Sequence, residues 1–329
     1  MLRILHDTNY DFIRWWKVMA AITIAFILLG FASLAIKAPN YSIEFTGGTL
    51  MQLEFTQPPD VAQIRSTLDE AGIRGAEIQQ FGTNREFTVR VQNAAAVASQ
   101  SKGAENIAVT IESVLKKKFG ESNVTVKRTE AVSARVGEEF KRGAIIAILL
   151  SFLITLVYLS IRFEWRFAAA AVIATSHDVF TTIAFLKLMH LEISLTVVAG
   201  LLTVLGYSLN DTIIIFDRVR ENLRKGRKET LYETLNRSIN ETLPRSVLTH
   251  ATTFAATLAL LLFAGEVIRP FAWVMAFGIV TGTFSSIYVA APVLLWIERK
   301  WPRKTGVRQT SSTATPTSQT RRSPATATR

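Results

Sequence analysis

The chain has 329 residues, 49% of them hydrophobic and 19% charged, with a formal net charge of +11. The absence of cysteine excludes disulfides and thiolate metal sites. Positive mean hydropathy points to several membrane spans with a polar portion, and no nucleic-acid-binding motif accompanies the basic excess, which reads as loop charge that sets orientation.

Residues 1–17 are polar with a basic bias, and Trp15-Trp16 suits an interfacial aromatic belt. Val18–Ile36 is long enough to span a bilayer and too long for the apolar core of a cleaved leader, so an uncleaved first span is expected. Residues 38–141 differ in kind, with alternation and turn residues replacing long apolar runs. Tyr41–Phe45 and Thr49–Phe55 read as strands joined by a tight turn at Gly47-Gly48. Pro58-Pro59-Asp60 starts a helix bearing Val61, Ile64 and Leu68, which Gly72 ends. Ala76–Phe81 and Glu86–Val91 flank a Gly82-Thr83-Asn84 turn. A second helix follows, with Ile107, Ile111, Val114 and Leu115 on one face and Lys116, Lys117 and Lys118 in its last turn. Val124 and Val126 open a final strand. Strand-helix-strand-strand-helix-strand is the ferredoxin-like pattern.

The chain then returns to apolar runs: Ile145–Ile161, Ala168–Leu188, Ile193–Phe216, Leu248–Ala264 and Phe271–Ile297. Asp217–Leu243 is a polar, helix-prone connection, and Pro244-Arg245 precedes the fifth run. Residues 299–329 are rich in Ser, Thr, Ala and Arg and read as a disordered basic tail. The expected fold class is an α-helical polytopic membrane protein of six transmembrane helices with an α+β, ferredoxin-like extracytoplasmic domain. The expected division is 1–17, 18–37, 38–141, 142–298 (a five-helix bundle) and 299–329. With six spans, nearly all short-loop basic residues fall on one side: Arg14 and Lys17, Arg162 and Arg166, Arg218 to Lys228, and Arg299 to Lys304. Both termini are then cytoplasmic and residues 38–141 lie on the opposite side.

Asp211 is a carboxyl enclosed by apolar sequence, and Asp178 sits within the third span. Ionisable groups there are costly and usually face a protein interior with a function. Ser208, Asn210 and Thr212 surround Asp211, and Asp217 follows it. A buried structural carboxyl is the bland alternative, weightier for Asp178 than for Asp211. Arg245, at the start of the fifth span, is the natural cation to face Asp211 across an antiparallel helix pair. His250, with Thr249, Thr252 and Thr253, makes that start polar, which a packed histidine and interhelical hydrogen bonds also explain. Two membrane aspartates meet the bare count for an intramembrane aspartyl protease, but Tyr-Ser-Leu-Asn precedes Asp211 where Gly-x-Gly would stand. Gly47-Gly48 lacks the spacing of a phosphate loop.

Several segments together resemble one family. Ile43-Glu44-Phe45-Thr46-Gly47-Gly48-Thr49 resembles the Asp-Phe-x-Gly-Gly element of the SecD/SecF proteins, with Glu44 where the family usually has Asp. Arg162-Phe163-Glu164-Trp165-Arg166-Phe167-Ala168, then His177-Asp178-Val179, is similar to the turn and third span on the SecF side of that family. Gly206-Tyr207-Ser208-Leu209-Asn210-Asp211-Thr212 and Phe216-Asp217-Arg218-Val219-Arg220-Glu221-Asn222 resemble its fourth span almost residue for residue. Arg245, within Asn240-Glu241-Thr242-Leu243-Pro244-Arg245-Ser246, matches the arginine before its fifth span. The resemblance covers about residues 10 to 300 in order. It implies a SecF-like, non-enzymatic subunit of the RND superfamily in the inner membrane, with no cofactor or metal. The implied partners are SecD, the SecYEG channel, a translocating unfolded polypeptide, protons and the lipid bilayer, and no nucleic acid. It further implies that Asp211 carries the proton and that Arg245 is its partner, so that the proton-motive force promotes protein translocation. The alternative is a half-unit of an RND-type exporter of a small molecule or lipid.

Overall fold

The computed structural model describes residues 8–92, 103–225, 229–265 and 267–302. Arg3, Arg227, Lys228 and residues 303–329 of the expected disordered tail lie outside them, whereas Arg299 and Lys300, at the start of that expected tail, are the end of the last helix. Six helical stretches are long and apolar enough to cross a membrane: Ile13–Ile36, Ala134–Arg162, Trp165–Leu188, Leu195–Arg224, Leu231–Phe263 and Arg269–Lys300. Between the first two stands a small four-stranded domain.

That domain follows the expected alternation. Strand β1 (Gly48–Phe55), helix α3 (Val61–Glu70), strands β2 (Glu77–Gln80) and β3 (Glu86–Gln92), helix α4 (Gly103–Phe119) and strand β4 (Val124–Val132) build one sheet in the order β2-β3-β1-β4. All pairings are antiparallel, with a bulge at Lys127 of β4 opposite Gln52 and Leu53 of β1. Alternation along β1 turns Met51, Leu53 and Phe55 inward. They meet Ile64 and Leu68 from α3, Ile111 and Leu115 from α4, and Phe87 and Val89 from β3. Phe55 packs edge-to-face on Phe87 and Phe119, with ring centroids 5.6 and 5.5 Å apart. Asp60 caps α3 by accepting from the Ala62 amide at 3.0 Å.

The start of the domain departs from expectation. Tyr41–Phe45 is not a strand. Tyr41 makes a single parallel bridge to Ile193, and Ile43–Thr46 forms a short helix, α2. The polar groups of residues 40–42 pair with the turn near residue 193, so no second strand remains for a hairpin. Gly47-Gly48 therefore joins α2 to β1. Both residues have positive φ, 72° and 141°, and a Cβ on Gly48 would lie 2.4 Å from the Val91 carbonyl oxygen of the neighbouring strand.

The bundle comprises α1 (Trp16–Ile36), α5 (Ala134–Arg162), α6 (Trp165–Leu188), α7 (Leu195–Arg224), α8 (Leu231–Phe263), α9 (Arg269–Ser285) and α10 (Ala291–Lys300). The last two are joined by a π-helical turn, Ser286–Ala290. The fifth stretch is longer than its apolar run, because the helix-prone part of the connection from Leu231 to Leu243 is helix continuous with it. Residues 231–263 form one helix with Pro244 inside it, opened by a Thr230/Glu233 capping box. Leu235, Ile239 and Leu243 recur every four residues and bury, which gives this polar segment a packing face. Asn236 and Asn240 of the same segment accept hydrogen bonds from the Phe12 and Tyr10 amides, each at 2.9 Å.

Small residues set the tightest contacts. Gly278 and Gly282 of α9 lie against Val204 and Ser208 of α7, and a Cβ on Gly278 would meet Val204 at 2.2 Å. Gly30 of α1 packs on Ala184 of α6, where a Cβ would fall at 2.3 Å. Close approach at small residues is the usual basis of helix association in membranes, where hydrophobic burial gives no drive. By contrast, Leu28 and Leu29 of α1 and Leu149 and Leu153 of α5 are exposed, as residues facing acyl chains would be.

Candidate functional site

Four spans bring a polar layer into the middle of this bundle. Asp178 is fully buried on α6. Its Oδ2 accepts from Ser285 at 2.7 Å and from Ser208, and its Oδ1 lies 3.1 Å from Nδ1 of His177. The His177 ring stacks on Phe284 with centroids 6.5 Å apart. Ser208 is one helical turn before Asp211 on α7, so the same helix face serves both carboxyls.

Asp211 is 3% exposed. Ser246 of α8 donates to its Oδ1 at 2.8 Å. Its Oδ2 has no hydrogen-bond partner among the described residues. The nearest basic group is His250, whose Nδ1 is 3.9 Å from Oδ2. His250 Nδ1 is also 2.9 Å from the Thr283 hydroxyl. The same Thr283 hydroxyl lies 3.0 Å from the Ile279 carbonyl oxygen. Tyr207 edges the same ring at 5.2 Å and donates to Thr253 at 3.0 Å. Thr212 shares a 2.8 Å hydrogen bond with Ser286, at the start of the π turn. A π turn frees backbone geometry locally and often marks a functional position in a helix.

The structure thus collects Asp178, Ser208, Asp211 and Thr212 into one buried layer. It leaves Asn210, Asp217 and Arg245 outside that layer, all three exposed. Asp217 lies 4.0 Å from Arg162. Arg245 lines a cleft of about 560 Å³ with Asp217, Glu221 and Glu241, and it makes no ion pair with Asp211 within 4.0 Å among the described residues. Successive helical residues point about 100° apart, and here Ser246 rather than Arg245 faces the carboxyl. Sequence reasoning did not single out Ser246, Thr283, Ser285 or Ser286. The Ser285-Ser286 pair and the Gly278-x-x-x-Gly282 spacing in the last apolar run were the available signals.

Chemically, the layer offers two carboxyls with different surroundings. Asp178 is filled with partners on both oxygens. Asp211 has one hydrogen bond and an open oxygen, so it can take up a proton at Oδ2 without breaking a bond.

Comparisons with known proteins agree on the family. Residues 110–300 match the family described as "Protein export membrane protein SecD/SecF, C-terminal", and residues 32–59 match the "SecD/SecF GG Motif". The chain is 63% identical over 305 residues to a "Protein translocase subunit SecF" from Gemmatimonas aurantiaca, covering 92% of this chain and 91% of that protein. It is 41% identical to the Vibrio alginolyticus protein of the same description, covering 88% and 90%. Among solved structures, the crystal structure of SecDF from Thermus thermophilus superposes with a TM-score of 0.79 at 34% identity, over 91% of this chain. SecDF in a super-membrane-facing form superposes with a TM-score of 0.65 at 36% identity. This chain spans 40% of the length of each SecDF chain. The small domain with its paired glycines and the six-span bundle with its intramembrane carboxyls are thus one continuous match, and the chain belongs to the SecD/SecF family of protein export membrane proteins.

Proposed function

We propose that the chain works as the SecF-like subunit of the protein-export machinery, using the proton-motive force with SecD to promote translocation of secreted proteins through SecYEG. The observation that carries this reading is Asp211, buried in a span with one oxygen open. Its role is to take a proton from one side and release it to the other. Protonation removes the charge that Ser246 and His250 now face, and the α7–α8 contact then repacks. Arg245, one residue from Ser246 and close to Asp217 in the neighbouring cleft, is the cation that such a repacking would bring toward the carboxyl. Asp178 holds α6, α7 and α9 in register beside it.

The transmembrane potential supplies about 2.3 kcal/mol per charge per 100 mV, so a few protons can drive a domain motion. Basic residues in the short loops support cytoplasmic termini and, with them, a small domain on the outer side of the inner membrane.

Inverted vesicles containing this chain and SecD provide the test. Asp211→Asn is expected to abolish proton-dependent stimulation of late translocation while co-purification with SecD is retained. Full stimulation by the Asp211→Asn chain would overturn the reading.

A further inference from the structure

At the end of the bundle nearest the small domain, a cavity of about 310 Å³ opens among α1, α5, α6 and the start of α7. Leu34, Ile145, Ile148, Ile183, Leu186 and Leu201 form its apolar wall, and Tyr41, Lys141, Lys187 and His190 also line it. Lys187 is only 8% exposed. Its ammonium donates to the carbonyl oxygens of Lys37 and Ala38, the latter at 3.0 Å. It forms no ion pair among the described residues, and neither does Lys141, whose Nζ sits 5.9 Å from the centroid of the Tyr41 ring. An ammonium has three protons to donate, and carbonyls alone leave its charge uncompensated. A buried cation without a counter-charge is costly, which makes the cavity selective for an anion.

The position of the cavity says what kind of anion. Leu34 is near the end of α1, Leu186 near the end of α6, and Leu201 near the start of α7, while the apolar part of α5 begins just after Lys141-Arg142. All four elements therefore meet at one rim of the bilayer. The flanking faces of α1 and α5 are exposed and apolar. A free inorganic anion would satisfy the lysines and leave the apolar wall empty. We propose that this cavity binds one anionic phospholipid of the leaflet beside the small domain, with the phosphate on Lys187 and Lys141 and an acyl chain along the Ile145, Ile148 and Leu201 wall.

The test is native mass spectrometry of the full chain in detergent, titrated with phosphatidylglycerol and phosphatidylethanolamine of identical acyl chains. One phosphatidylglycerol is expected to remain bound, favoured about five-fold for each lysine engaged. Lys141→Gln should lower that preference about five-fold, in line with one lost cation near a lipid surface. Ile148→Trp, which fills the cavity without touching a charge, should remove the bound lipid. Lys187 is left intact because it also holds the end of α1. Equal retention of the two lipids would overturn the proposal, as would retention unaffected by Ile148→Trp. Complete displacement by inorganic phosphate would show an anion site without a lipid role. Expulsion of the phosphatidylglycerol when SecD joins the complex would assign the surface to the subunit interface instead.

Discussion

Asp211 depends on one hydrogen bond. Ser246 supplies it, and the other carboxyl oxygen has no partner among the described residues. Removing the donor leaves a buried acceptor wholly unsatisfied, at a cost of about 1–3 kcal/mol. Ser246→Ala should therefore lower the thermal stability of the chain in detergent, followed by tryptophan fluorescence, while Ser246→Thr keeps the hydroxyl and should stay near the parent. In an Asp211→Ala background the loss at Ser246 should largely vanish, since the two positions couple only through this bond. An equal cost in both backgrounds would show that Ser246 matters for packing alone. At this scale the sequence was half legible. Asp178, Ser208, Asp211 and Thr212 stand out because polar groups in an apolar run have few harmless explanations. Ser246 does not stand out, because which of two adjacent residues faces Asp211 is set by the helical rotation of α8. That rotation depends on how the polar segment before Pro244 packs.

Elements were read best where length and apolarity alone decide them, as in the first four spans. They were misread where a partner distant in sequence decides them. Tyr41–Phe45 has the composition of a strand, but its backbone pairs with Ile193 across some 150 residues. The helix-prone reading of the polar segment before Pro244 holds from Leu231, where a stripe of Leu235, Ile239 and Leu243 buries, but its continuity with the fifth span was not expected. The π turn at Ser286–Ala290 left no periodic signal that a 3.6-residue pattern would reveal. The packing of α7 on α9 is the contact on which the buried layer rests, since Gly278 and Gly282 allow Ser208 and Ser285 to approach Asp178 together. Gly278→Val adds volume where a Cβ already falls 2.2 Å from Val204. Overpacking of that kind costs about 1–3 kcal/mol. The substitution should lower the unfolding temperature, and Val204→Gly in the same chain, which removes the Val204 Cγ atoms at 2.2 and 2.6 Å and its Cβ at 2.9 Å, should restore part of it. Failure of Val204→Gly to rescue would mean that the glycine serves the backbone of α9 and not the helix contact.

Across the whole molecule, the small domain and the bundle meet at the turn that begins α7. The Ser42 amide donates to the Ile193 carbonyl at 2.9 Å and the Ile193 amide to the Asn40 carbonyl at 2.7 Å. Glu44, from the paired-glycine element, accepts from the Leu195 amide at 2.7 Å, a carboxylate at a helix N-terminus. Arg90 of β3 pairs with Glu192 of the turn and stands 3.5 Å from Glu77. The helix that bears Asp211 is thus tied at its far end to the small domain. Burial pushes the Glu192 carboxyl above its ordinary value of 4.5, and the Arg90 guanidinium offsets only part of that rise. An acid whose value is raised in the assembled state contributes stability that is complete below its ordinary value. That contribution is lost as pH rises through the raised value. The tie between domain and turn should therefore weaken from acidic toward neutral pH. Hydrogen exchange at the Ile193 amide, corrected for its intrinsic rate, reports that tie directly. Protection should fall with rising pH in the parent chain. It should be flat in Glu192→Gln, which keeps the shape and cannot ionise. The same slope in both chains would place the pH response elsewhere, and a flat parent would mean that the turn holds the domain without regard to the proton gradient.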